Sequence, residues 1–336
     1  MRRRSHIWLG MAISLLAFVW AFYGVDFVAA WIVVKKMKHF WLIPAALLVP
    51  AVNWCRAARW RLMFSQTSAP PTHRFFSAVN ISYLANNVLP LRAGDLVRTY
   101  FIARAATMSK TQALSTIVVE RVIDVMTAIF PLLIVSPYLP SLTDTMQKTV
   151  FWIGILTLVA MIILAVVSNQ KARCLALLQR LLTVLPCQAF HKTFYRIACS
   201  ILEGLSALKS PWMATKILGW TIIIWLLTNL FPYALFQAFR IELPFSAAVF
   251  LICITSLGVS VPSSPGFIGV AHSLIVLCLT TAYSLDKNVA LSFALVAHAW
   301  QYLLQVFLGA VALVQEGYSF DLVTKSAAEP FSQETR

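Results

Sequence analysis

Of 336 residues, 60% are hydrophobic and only 12% are charged, half of the roughly 25% usual in soluble domains, and this excludes an ordinary water-soluble fold. The formal charge of +15 would suit nucleic acid, but the lysines and arginines gather beside the ends of apolar runs, as in the cytoplasmic loops of a membrane protein, and no nucleic-acid partner is expected.

Six apolar stretches, 7–25, 41–64, 111–135, 150–168, 213–239 and 289–314, are long enough to cross a hydrocarbon core, which takes about 20 residues of helix. Backbone groups in lipid must bond within the segment, and none of the stretches has the alternating pattern of a barrel strand, so each predicts a helix. The first follows Arg2, Arg3 and Arg4 as a signal peptide would, but it exceeds the usual apolar region of about 7–15 residues and predicts an uncleaved helix. Arg56, Arg59 and Arg61 close the second.

The region after Arg74 does not read as a simple span: an apolar run from Phe75 meets Asn86, Asn87 and Pro90, then restarts at Gly94 with Asp95, Arg98 and Arg104 in it. The third full span carries Glu120, Arg121 and Asp124 near its middle. Between the fourth and fifth spans lies the main basic loop, 169–212, with Lys171, Arg173, Arg180, Lys192, Arg196 and Lys209 against one acid, Glu203. Leucines at helical spacing within it (Leu175, Leu178, Leu181, Leu182) suit either helices on an anionic leaflet or a solvated loop. After Arg240 and Glu242 a second apolar run breaks at Pro262, Ser263, Ser264, Pro265 and Gly266 and restarts at Phe267.

These elements predict an all-α polytopic membrane protein of one domain, 1–314, with a short cytoplasmic tail, 315–336. About six full spans place both termini in the cytoplasm, and counting each broken pair as two spans leaves that parity unchanged. Lys35, Lys36 and Lys38 fall on the outer side of this topology, against the rule. The first broken pair then enters from the cytoplasm and the second from outside. Opposed broken helices in the two halves of a chain point to re-entrant pairs in an inverted repeat, with a binding site near the midplane. Six cysteines, at 55, 174, 187, 199, 253 and 278, include no CxxC pair, so neither a disulfide framework nor a metal site is expected.

The strongest constellation is Asn86, Asn87, Pro90, Arg92, Gly94, Asp95 and Arg98. Arg92 and Arg98 offer planar donor forks suited to phosphate, and a half-helix starting at Gly94 would add free N–H groups at the positive end of its dipole. The alternative is a short loop of solvated arginines. Glu120, Arg121 and Asp124 cannot face lipid, where each ion costs about 2.5–3.5 kcal/mol even on the lenient scale. They either pair among themselves, since Arg121 and Asp124 are three apart, or reach Arg92 and Arg98 to wall a polar cavity. In the second break Ser263, Ser264 and freed backbone offer uncharged hydrogen bonds, Gly266 and Gly269 allow close helix approach, and His272 is either a ligand contact or a histidine bonded to a carbonyl. In the last span His298, Gln301 and Gln305 form a polar stripe facing the bundle. No GxSxG, HExxH, P-loop or GxGxxG occurs, so no catalytic residue and no cofactor is assigned.

The three stretches NNVLPLRAGDLVR, VVERVID and VPSSPGFIGVAH, in this order, resemble the lysylphosphatidylglycerol synthase transmembrane-region family, also described as flippase-like, over almost the whole chain. The resemblance implies a multi-span protein with inverted re-entrant helices in the cytoplasmic membrane of a prokaryote, moving charged lipids between leaflets. It carries Asn87, Pro90, Arg92, Gly94, Asp95 and Arg98 onto the first motif, Glu120, Arg121 and Asp124 onto the second, and Pro265, Gly266 and Gly269 onto the third. Asp95 stands where glutamate is frequent and His272 where many relatives carry glutamate, which bears on substrate charge or proton coupling. No catalytic domain stands at either end of the sequence, so the expectation is the membrane part and not a synthase. The expected function is transport of a phospholipid or polyprenyl-phosphate-linked lipid with an anionic or zwitterionic headgroup, with the first break binding the headgroup and the second gating. The alternatives are a membrane transferase using a lipid-linked donor, and a non-transporting partner of a separate lipid-modifying enzyme docked on the basic loop.

Overall fold

The structure is a computed structural model that describes residues 19–21, 23–24, 26–64, 69–89, 93–138, 148, 151–152, 154–159, 210–259 and 264–328. Among these residues there is helix and no strand. In chain order the helices are α1 (Phe27–Lys36), α2 (Leu42–Arg61), α3 (Thr72–Val88), α4 (Gly94–Ala105), α5 (Lys110–Val135), α6 (Pro211–Phe239), α7 (Phe245–Gly258), α8 (Val270–Tyr283), α9 (Lys287–Gln315) and α10 (Phe320–Ala328).

Local chemistry sets several of these ends. Asp26 caps α1 by accepting the N–H groups of Val28 and Ala29, and Lys35 and Lys36 occupy the last turn, where the negative pole of the helix favours cations. Lys35 and Lys36 therefore serve a helix end. Pro211 opens α6, where a missing N–H costs nothing. Asp286 caps α9 through Asn288 N at 2.9 Å and Val289 N at 3.2 Å. Replacing Asp286 by alanine is expected to cost about 1 kcal/mol. A lower thermal midpoint of the detergent-solubilised protein, restored by Asp286→Asn, is the measurement that checks it.

Among the described residues four helical stretches are long and apolar enough to cross a membrane: His39–Arg61, Pro211–Phe239, Pro265–Tyr283 and Lys287–Gln315. Three coincide with the expected spans 41–64, 213–239 and 289–314; the third expected span forms α5. The stretch Pro265–Tyr283, read above as half of a re-entrant pair, reaches the length of a span only by joining the turn Pro265–Phe267 to the 14 residues of α8. The expected spans 7–25 and 150–168 lie mostly outside the described residues, as does the basic loop 169–212. Large apolar side chains such as Leu47, Leu226, Leu303 and Phe307 are exposed on the outer faces of these helices, a surface that needs lipid rather than water.

Both broken regions form helix, interruption, helix, as the sequence predicts. α3 has 17 residues and α4 has 12, about 25 Å and 18 Å of helix, and α7 and α8 have 14 each, about 21 Å. Each is shorter than the hydrocarbon core of about 30 Å. Within each pair the two helices pack on one another, and each pair packs against a long helix from the other half of the chain: α3 against α9, and α7 against α5. α2 and α6 pack together. At the α3–α9 contact a methyl group on Gly309 would lie 2.4 Å from Leu84 Cβ and 2.7 Å from the carbonyl oxygen of Asn80, so the helices approach to backbone distance. Two apolar cores result. One joins α2, α3 and α4 around Trp60, Phe75, Ile81 and Ile102; the other joins α6 to α9 around Phe236, Leu251, Leu279 and Phe293.

Candidate functional site

The first interruption is closed by its own side chains. Asn86, in the last turn of α3, accepts the N–H of Gly94 at 2.9 Å, which holds the start of α4 against α3. The N–H of Gly94, expected from the sequence to be free for a ligand, is thus already satisfied. Asn87 turns the other way and donates to Gln305 Oε1 on α9 at 3.1 Å. Pro90 and Arg92 lie outside the described residues.

Beside this interruption lies a network of ions. Glu120 on α5 is buried and accepts from Arg98 Nη1 at 2.9 Å and from Arg59 Nη2 at 3.2 Å. Asp124, one turn along, pairs with Arg59 at 2.7 Å and with Arg56 at 3.1 Å. Asp95 on α4 accepts from Arg121 Nη2 at 2.7 Å and from Arg98 Nε at 3.1 Å. Arg59 also donates to Thr221 on α6 at 3.2 Å. The guanidinium of Arg98 sits over the ring of Trp60 at 4.9 Å, and the indole N–H of Trp60 donates to Thr116 at 2.9 Å. Taking one such ion out of water unpaired costs several kcal/mol, so every carboxylate here contacts at least two arginines.

Of the two sequence readings of Glu120, Arg121 and Asp124, the local pair between Arg121 and Asp124 is not formed. The three ions reach across to α2 and α4 instead. The partners on α2, Arg56 and Arg59, were assigned from the sequence to a cytoplasmic helix end. They do stand in the last two turns of α2, yet Arg59 is fully buried and both turn to carboxylates. A signal for them was present: Asn53, Arg56 and Arg59 recur every three residues in a helix whose other residues before Arg61 are apolar, which puts all three on one face. Asn53 uses that face to donate to Asn80 on α3 at 2.8 Å.

A cavity of about 350 Å³ opens beside the network. Arg56, Arg121 and Asp124 are its charged wall, and Asn53, Tyr83, Asn86, Asn87, Gln301 and Gln305 add uncharged polar groups to sides that are otherwise apolar. Its volume is within the range of small-ligand sites. Of the residues expected to bind a headgroup, Asn86, Asn87, Arg121 and Asp124 line it; Gly94, Asp95, Arg98 and Glu120 stand behind them. His298, Gln301 and Gln305 face it, so the polar stripe on the last span does turn inward.

The second interruption reaches the same cavity. The turn Pro265–Phe267 puts Gly266 at φ 63°, a conformation that glycine adopts without strain. A methyl group there would lie 2.9 Å from the ring of Tyr302 and 3.4 Å from the carbonyl oxygen of Asn87, so the two interruptions touch at Gly266. Gly266 and Phe267 line the cavity; Ser264, Pro265, Gly269 and His272 do not. Ser264 donates to Ile268 O at 2.8 Å, and His272 Nδ1 accepts the N–H of Gly269 at 3.3 Å, capping its own helix, with its ring 4.6 Å from that of His298. Pro262 and Ser263 lie outside the described residues. Among the described residues no group of three or more His, Cys, Asp or Glu side chains is placed to hold a metal.

Compared with known proteins, residues 7–309 match the family described as the lysylphosphatidylglycerol synthase TM region. The UPF0104 membrane protein MJ1595 of Methanocaldococcus jannaschii is 23% identical over 327 residues, covering 93% of this chain and 94% of that protein. The UPF0104 membrane protein MJ1078 of the same organism is 24% identical over 232 residues, covering 67% of this chain and 91% of its own length. No solved structure matches the chain.

Proposed function

The chain belongs to the lysylphosphatidylglycerol synthase transmembrane-region family, and on that premise we propose that this multi-pass membrane protein is a flippase-like transporter carrying a phospholipid or polyprenyl-phosphate-linked lipid between leaflets. The observation that carries the proposal is the cavity between the two interruptions, with an ionic wall of Arg56, Arg121 and Asp124 among apolar helices. A lipid headgroup needs such a polar enclosure to pass through hydrocarbon, while its acyl chains need none. Ions at membrane depth that face a cavity mark a substrate path more often than a structural joint.

The packing supports alternating access through an inverted repeat. If α2 to α5 are matched in order with α6 to α9, most contacts correspond: α2 with α3 and α6 with α7, α4 with α5 and α8 with α9, α3 with α9 and α7 with α5. The α2–α6 contact would then lie on the pseudo-symmetry axis, and rocking of one unit against the other would expose the cavity to each leaflet in turn. In this reading the first re-entrant pair enters from the cytoplasmic side of an inner membrane and the second from outside, with the Pro265–Phe267 turn as the outer gate. Arg56 and Arg121 hold the headgroup anion, and Asp124 balances them or engages an amine.

Reconstitution of the purified protein into liposomes tests the proposal. Labelled phospholipids or polyprenyl-phosphate lipids are expected to exchange leaflets faster than in empty vesicles. Exchange no faster than in empty vesicles, across both lipid classes, rejects transport.

A further inference from the structure

We propose that Arg56 and Arg121 form the anion seat of the cavity, and that the seat takes one singly charged phosphodiester headgroup in preference to a diphosphate. The assignment rests on the transport reading above and narrows its substrate.

The four arginines of the network divide into two pairs. Arg59 is fully buried and is spent on Glu120, Asp124 and Thr221. Arg98 is spent on Glu120 and Asp95 and is covered by Trp60. Neither lines the cavity, whereas Arg56 and Arg121 both do. Arg121 gives Nε and Nη2 to Asp95 and keeps a side chain 35% exposed. Arg56 gives Nη1 to Asp124, and its Nε is buried without a hydrogen-bond partner among the described residues; Arg59 Nε and Arg98 Nη2 share that condition, but of the three only Arg56 lines the cavity. A desolvated donor left unpaired is a cost that a bound oxyanion relieves in the same guanidinium fork. Arg92, which the sequence pointed to as a phosphate ligand, is not needed for this seat.

The charge count selects the guest. Arg56, Arg59, Arg98 and Arg121 face Asp95, Glu120 and Asp124, which leaves one positive charge in excess among the described residues. A phosphodiester carries one negative charge and neutralises the site. A diphosphate brings more, and the surplus stays unbalanced in a low-dielectric enclosure. Asn53, Tyr83 and Gln301 in the remaining lining are uncharged, and the count holds with His298, which also lines the cavity, as the neutral imidazole.

The test is binding of a fluorescent short-chain phosphatidylglycerol to the purified full chain in detergent, with unlabelled phosphatidylglycerol, a polyprenyl diphosphate and inorganic phosphate as competitors. Arg56→Gln and Arg121→Gln are each expected to weaken probe binding by about tenfold or more, the loss of a charge-assisted hydrogen bond. Lys325→Gln, an exposed side chain on α10, should leave binding unchanged. Phosphatidylglycerol should displace the probe at least about tenfold better than the diphosphate, the ratio of one mismatched charge, and inorganic phosphate should not displace it. Unchanged affinity in both arginine variants overturns the seat, and a diphosphate that competes best overturns the charge assignment. Inorganic phosphate competing as well as the lipid overturns the lipid as its source. If Arg56→Gln fails to elute as a single species, Arg56→Lys, which keeps the charge and loses the fork, is expected to bind more weakly than wild type, and equal affinity counts against the seat. Lipid exchange in liposomes that survives both substitutions removes the seat and leaves transport standing. Arginine-dependent binding without any exchange does the reverse.

Discussion

Replacing Glu120 by alanine is expected to destabilise the protein by about 3–5 kcal/mol, the cost of removing one member of a buried ion network. Glu120 is 1% exposed and holds two arginines through separate oxygens, Arg98 at 2.9 Å and Arg59 at 3.2 Å. Without it, Arg98 keeps only Asp95, and Arg59 keeps Asp124 and Thr221, so two guanidiniums remain in an apolar interior with one carboxylate fewer. Because α2, α4, α5 and α6 meet through these contacts, the loss reaches the whole bundle. Thermal unfolding followed by fluorescence-detected size exclusion reads the effect. Glu120→Gln should fall between alanine and wild type, since it keeps an acceptor oxygen and loses the charge. A midpoint for Glu120→Ala equal to that of wild type would mean that Arg59 and Arg98 are neutralised by something other than Glu120.

Glu120 also marks how far the sequence could be read. An ion in the middle of an apolar helix cannot face lipid, so its inward orientation follows from residue type alone. Its partners do not follow, because they stand on helices distant in the chain, and a spacing rule proposes only neighbours on the same helix. That is why Arg121 and Asp124 invited a local pair, while the structure gives Arg121 to Asp95 and Asp124 to Arg56 and Arg59. Arg56 and Arg59 were hidden by a rule that works well elsewhere: arginines near the end of a span usually mark its cytoplasmic side. The rule counts charges near an end and does not ask which way the side chains turn, and in the last turns of α2 Arg56 and Arg59 turn to Glu120 and Asp124. The two interruptions were legible for a simpler reason, since prolines, glycines and paired asparagines in an apolar run remove backbone bonds that lipid cannot replace. That the interruptions touch at Gly266 and Asn87 needs the fold.

Gly94→Ala is expected to be the most damaging small substitution at the first interruption. A Cβ at this position would stand 2.1 Å from the carbonyl oxygen of Ser82 and 2.7 Å from Asn86 Oδ1. The nearer atom belongs to the backbone of α3 and cannot rotate away, so α4 must move off α3. That movement breaks the hydrogen bond from Gly94 N to Asn86 and displaces Asp95, the next residue, and Arg98, one turn along, from Arg121 and Glu120. The cost is expected at or above the upper end of the roughly 1–3 kcal/mol typical of overpacking. Gly219→Ala supplies the contrast: it lies inside α6 with nothing within 4 Å of the added methyl group, and alanine there should be neutral or stabilising by up to about 1 kcal/mol. Thermal midpoints of the two variants, measured in the same detergent, should therefore move apart, the Gly94 variant losing lipid binding at Arg121 as well. If both midpoints stay with wild type, α4 does not rest on α3 at backbone distance, and the cavity wall at Arg121 must be held by some other contact.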